Sequence, residues 1–122
     1  MELQNSLSAE FSMKTLGFPE IFLGVQIAQS LKGLILFQQD LIDRILSRFK
    51  MSDVRVQSTP MDSKLHFSKL MDESPNYEGN YRQAIGCLQY LVTCTRLDLA
   101  ASVSILAQYT NCPKIARWDA VV

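Results

Sequence analysis

Apolar residues change their spacing along this chain, and each change marks out an element. Leu3, Leu7 and Phe11 recur every four residues, as on one face of a short helix, although Asn5, Ser6 and Ser8 weaken it to a frayed turn. Phe11-Ser12-Met13 then alternates like a short strand, and Leu16-Gly17-Phe18-Pro19 supplies a turn. From Glu20 to Phe37, two apolar runs rich in β-branched and aromatic residues flank a polar segment that ends in Gly33. That pattern predicts an antiparallel β-hairpin with a loop of about five residues from Gln29 to Gly33, the glycine taking a positive φ. Phe22, Val25 and Ile27 cannot share one side of such a hairpin without a bulge, and Gly24 is where an extra residue costs least. Two readings of Gly24 stand side by side: a sheet irregularity that serves packing, and a place where a ligand's backbone passes close.

Beyond Gln38 the period becomes helical. Leu41, Ile42, Ile45, Leu46 and Phe49 form one apolar face of a helix from Gln38 to Phe49, with Asp40 and Arg44 spaced for an i,i+4 pair. Ser52-Asp53 ends it. Residues 54–79, with Pro60, Pro75, Gly79 and many serines, read as a long connecting loop, a linker or an extended wrap. A second helix runs from Tyr81 to Cys94 with Ile85, Leu88, Leu91 and Val92 on its stripe, and Gly86 marks a close crossing with another helix. Thr95-Arg96-Leu97-Asp98 has the spacing of a capping box that opens a third helix, with Leu99, Val103, Leu106 and Ala107 buried. Asn111-Cys112-Pro113 stops it, and Arg117 to Val122 reads as the opening of a further element. The fold class is α+β, a short antiparallel hairpin, a long loop and three α-helices. The chain divides into residues 1–37, 38–53, 54–79 and 80–122.

Composition narrows the function. At 122 residues the chain has the size of one ordinary domain, and its 12 basic and 12 acidic side chains cancel, so phosphate or membrane attraction would have to be local. Arg44, Arg48, Lys50 and Arg55 are the appreciable basic cluster, open to two readings: a solvated helix face, or phosphate contact. Cys87, Cys94 and Cys112 are odd in number and lack paired metal spacing, so reduced, mostly buried thiols are expected, with no disulfide-linked partner. The lone His66 reads as a plain surface histidine. No run of residues is long and apolar enough for a membrane helix, and the N-terminus lacks a signal-peptide pattern, which predicts an intracellular protein, cytoplasmic or nuclear. No glycine-flanked nucleophile or phosphate-cradling loop is present, and neither Asp40 with Asp43 nor Asp72 with Glu73 looks like a metal cage. No catalytic residue and no metal ligand is assigned.

Taken together, six blocks resemble the copia-type retrotransposon reverse transcriptase in order and spacing. They are Phe11–Gly17, Phe22–Ile27, Gln38–Phe49 with Met51-Ser52-Asp53, Ser58-Thr59-Pro60-Met61, Tyr81–Leu91 and Thr95–Asp98. The resemblance covers about Leu7 to Ala120 and implies part of a right-handed polymerase: distal palm and primer-grip hairpin, first thumb helix, linker, and a helical thumb or connection segment. It implies that Phe22, Leu23 and Gly24 of the primer grip, and Arg44, Arg48 and Lys50 of the thumb, contact nucleic acid. The implied partners are an RNA/DNA primer–template duplex and the remainder of the Pol polyprotein. The family's Mg2+-binding aspartates lie in a Tyr-x-Asp-Asp type hairpin that residues 1–122 lack, so no cofactor is expected in this fragment and no polymerisation by it alone. Departures at Thr15, Leu97 and Arg117, where the family has aspartate, proline and histidine, agree with decay or weak constraint. The alternative is a domesticated or decayed interaction module that binds a protein or nucleic-acid partner.

Overall fold

A computed structural model of the protein describes residues 2–61 and 74–121. His66, Asp72, Glu73 and the middle of the expected linker lie outside the described residues. Helix α1 spans Glu2–Glu10 and buries none of its residues, and Leu3, Leu7 and Phe11 all stay exposed. Phe11-Ser12-Met13 is not a strand but irregular chain, tied back to α1 by the Gln4 Nε2 to Thr15 Oγ1 hydrogen bond of 2.9 Å.

The hairpin is a three-stranded antiparallel meander, β1 (Ile21–Phe22), β2 (Val25–Ser30) and β3 (Gly33–Phe37). Phe22 pairs with Val25, so Leu23-Gly24 is a two-residue turn and there is no bulge. Because cross-strand partners point to the same face, this turn puts Phe22, Val25 and Ile27 on one side, joined by Leu36, the partner of Ile27. Ser30 pairs with Gly33, which shortens the expected five-residue loop to Leu31-Lys32. Gly33 does take a positive φ, 142°.

Helix α2 (Gln39–Arg48) leaves β3 through Gln38 alone, and its apolar face from Leu41 to Phe49 is half-buried as its periodicity predicts. It ends in a Schellman motif: Lys50 takes the left-handed conformation at φ 57°, its N–H donating to Ser47 O and that of Met51 to Leu46 O. Helix α3 spans Tyr81–Cys94 with Tyr81, Ala84, Ile85 and Leu91 buried. Among the described residues nothing lies within 4 Å of the position of a Cβ on Gly86, so the expected close helix crossing is not found there. A 3₁₀ turn (Leu97–Leu99) leads into α4 (Ala100–Ala107), which buries Val103 and Leu106, and α5 (Ile115–Asp119) follows. Five α-helices among the described residues therefore replace the expected three.

The core lies at the C-terminal end. Tyr81, Ile85 and Leu106 are its buried centre, with Tyr77, Ala107, Trp118, Ala120 and Val121 packed around them. Trp118 stacks on Tyr77 with ring centroids 4.6 Å apart and tilts against Tyr81 and Phe49, bringing α2 to the same cluster. Tyr77 is held there because Pro75–Tyr77 pairs with Pro113–Ile115: Tyr77 N–H donates to Pro113 O and Ile115 N–H to Pro75 O. The end of the 54–79 segment is thus an anchored strap. Of the three thiols, all free, Cys87 and Cys94 are half-buried and Cys112 is exposed. No helix among the described residues is long and apolar enough to cross a membrane.

Candidate nucleic-acid interface

The residues singled out from the sequence fall into two groups on one frame. Phe22, Leu23 and Gly24 form the β1–β2 turn, with Phe22 62% and Leu23 78% exposed. Leu23 and Gly24 both have positive φ, 50° and 78°, as the favoured two-residue hairpin turn requires. Leucine pays a steric cost in that conformation, and a contact from α3 offsets it: the Tyr90 hydroxyl donates to Leu23 O at 2.8 Å. The same hydroxyl would lie 3.1 Å from a Cβ on Gly24. Gly24 is thus not a sheet bulge but the second residue of a tight turn, and its close neighbour on that side is Tyr90. Gly24→Ala is expected to cost about 1–2 kcal/mol, the strain of a positive φ plus displacement of Tyr90, and urea unfolding curves check it.

Behind the turn, Phe22, Val25, Ile27 and Leu36 face Tyr90 and Cys94 across an apolar cavity of about 420 Å³. Burial and the adjacent Cys94 thiol push the Tyr90 phenol above its ordinary pKa.

Arg44, Arg48 and Lys50 are all exposed, on α2 and at its end. The expected Asp40–Arg44 side-chain pair does not form, since Arg44 Nε donates to the Asp40 carbonyl at 3.2 Å. Asp43 instead accepts from Gln39 Nε2 at 2.9 Å. Among the described residues no ion pair joins a carboxylate to any of the three cations. No hydrogen bond or ion pair joins them to the Phe22–Gly24 turn.

Three polar residues that periodicity does not reveal fix the junction between sheet and helix. Gln26, on β2, accepts the Asp40 N–H at 3.2 Å through its side-chain oxygen, doing for α2 what its own N-cap residue, Gln38, does not. Gln38 is 2% exposed, and its Oε1 accepts the Thr95 hydroxyl at 2.8 Å. Thr95 is thereby withdrawn from the capping box: no side chain caps the 3₁₀ turn or α4. Asp98 instead takes two hydrogen bonds from Arg96, 2.9 and 2.8 Å. That hydrogen-bonded pair holds the Asp98 carboxyl below the usual carboxylate range.

Among the described residues no three His, Cys, Asp or Glu side chains form a group able to hold a metal ion.

Comparison with known proteins agrees with the family resemblance. Residues 1–63 match a family model described as reverse transcriptase (RNA-dependent DNA polymerase). The chain is 35% identical, over 98% of its length, to the retrovirus-related Pol polyprotein from transposon TNT 1-94 of Nicotiana tabacum, of which it spans 10%. It is 39% identical, over 93% of its length, to an uncharacterized mitochondrial protein of Arabidopsis thaliana, spanning 46% of it. A third relative is the retrovirus-related Pol polyprotein from transposon RE1 of the same plant, 31% identical over 89% of this chain and 7% of that protein. The chain thus spans less than half the length of each. No solved structure matches it.

Proposed function

This chain belongs to the reverse transcriptase (RNA-dependent DNA polymerase) family, in its retrotransposon Pol branch, and we propose that its part there is to hold a primer–template duplex without performing the chemistry. The β1–β2 turn with Phe22, Leu23 and Gly24 serves as the primer grip, and α2 as the first thumb helix. One observation carries the reading. Arg44, Arg48 and Lys50 are exposed cations, with no ion pair among the described residues, on and just beyond a helix that a single residue, Gln38, joins to the sheet. Gln26 and Thr95 fix that joint, so a phosphate backbone along α2 would be held at a set angle to the turn. Phosphate contacts of this kind position a duplex and do not read its sequence.

Fluorescence anisotropy of a labelled RNA/DNA primer–template in rising salt tests the proposal. Three phosphate contacts predict a log–log slope of about −2.7, which between 50 and 200 mM salt lowers affinity roughly 40-fold. Absence of binding at 50 mM salt removes the primer-handling role and leaves the interaction-module reading. No primer extension is expected from the chain alone with Mg2+ and nucleotides, and an extended product in a gel assay would contradict that part of the proposal.

A further inference from the structure

We propose that β3 is a docking edge for a second copy of this chain, two β3 strands pairing antiparallel about a two-fold axis at Ile35. Because Leu31-Lys32 is a two-residue turn, Ser30 and Gly33 form a hydrogen-bonded pair, and bonded and non-bonded pairs alternate from there. Ile35 and Phe37 spend their N–H and C=O groups on β2, and Leu34 and Leu36 turn theirs outward. Among the described residues no strand lies beyond β3, and all five of its residues are exposed, Leu34, Ile35 and Leu36 by 60, 53 and 56%. An uncharged, apolar edge of this length is a template for another strand, and none of the usual protections, an edge lysine, proline or bulge, interrupts Gly33–Phe37.

The chemistry of the edge selects the copy and the register. Pairing Leu34 with Leu36 of the second copy, and the reverse, makes four backbone hydrogen bonds and closes the interface on itself, since the one free side of each β3 strand is used by the other. Lys32 is the one charge between Leu31 and Gln39. The antiparallel register brings it to the far end of the other copy's strand, toward Asp40, and opposes no like charges. The contact is short, so it belongs with small, transient interfaces, half-associated on the order of 10–100 µM protein.

Cysteine cross-linking of the full chain tests the register. In a Cys112→Ser background, Ile35→Cys places thiols opposite each other in a non-hydrogen-bonded pair, whose Cα separation of about 4.5 Å suits a disulfide. Leu31→Cys, in the exposed turn, is the control. Under mild oxidation Ile35→Cys is expected to form covalent dimer at least about 10-fold faster than Leu31→Cys, and adding Leu34→Pro, which deletes an outward N–H, to slow it about as much. Sedimentation equilibrium of the unsubstituted chain is expected to fit monomer and dimer. Equal cross-linking rates, a monomer at several hundred micromolar, or open-ended oligomers would each overturn the proposal. A monomer whose edge accepts only an extended segment of another protein is among those contrary results.

Discussion

Replacing Arg44, Arg48 and Lys50 together by alanine is expected to weaken primer–template binding at least about 100-fold at 50 mM salt and to flatten the salt dependence by nearly 3 in log–log slope. All three are exposed, so each single replacement should leave stability within about 0.5 kcal/mol while lowering the slope by about 0.9. Lys50 gives the sharper test. It occupies the left-handed C′ position of the Schellman motif, where glycine is the favoured residue. Lys50→Gly removes the steric cost of a Cβ at φ 57° and is expected to raise stability by a few tenths to about 1 kcal/mol while weakening duplex binding like the alanine variant. Stability and binding then move in opposite directions. A purely structural role for the α2 terminus would move them together, and anisotropy beside urea denaturation separates the two.

What the sequence makes legible here is local and periodic. Helix α2 and its half-buried face follow from the spacing of Leu41, Ile42, Ile45, Leu46 and Phe49, and α3 falls on the expected residues because its apolar stripe is bounded by Asn80 and Thr95. The sheet is legible in place and not in form. A two-residue turn of two left-handed residues is announced by Asn-Gly or Asp-Gly, and in Leu23-Gly24 only the second residue signals it. Leu23 holds the conformation with help from Tyr90, 67 residues away, so pairing preferences within the hairpin point to a bulge instead.

Contacts between distant polar groups leave no period at all. Thr95 has the type and spacing of a helix cap, and Gln38, 57 residues earlier, takes its hydroxyl. Arg117 carries a charge, yet it is 4% exposed, its guanidinium 3.8 Å from the centre of the Tyr109 ring and its Nη1 donating to Cys112 O. A flat cation over an aromatic face desolvates at low cost, and hydrophobicity patterns do not register it. The strap from Pro75 to Tyr77 is hidden for the same reason. Its partner segment begins at Pro113, and neither has the length of a strand.

Tyr81 carries the largest expected effect on stability. It is fully buried, its ring meets Trp118, and its hydroxyl donates to Leu106 O at 2.8 Å, tying α3 to α4. Tyr81→Ala deletes the centre of a core with few other buried side chains and is expected to cost about 3–5 kcal/mol, against about 5–15 kcal/mol for a whole ordinary domain. Tyr81→Phe keeps the ring and should cost only about 0.5–1 kcal/mol, because Leu106 O also accepts the Tyr109 N–H and is not left unpaired. The hydroxyl has a second, independent signature. Burial pushes its pKa from 10.0 up to about 12, so the folded state resists ionisation that the unfolded chain accepts. The resulting stabilisation is complete below about pH 10 and is lost as pH rises through about 12. Urea midpoints of the unsubstituted chain and of Tyr81→Phe, measured from pH 9 upward, should therefore converge and then cross at alkaline pH. A gap between them that stays constant across that range would show that the Tyr81 hydroxyl is not desolvated as the packing of α3 on α4 requires.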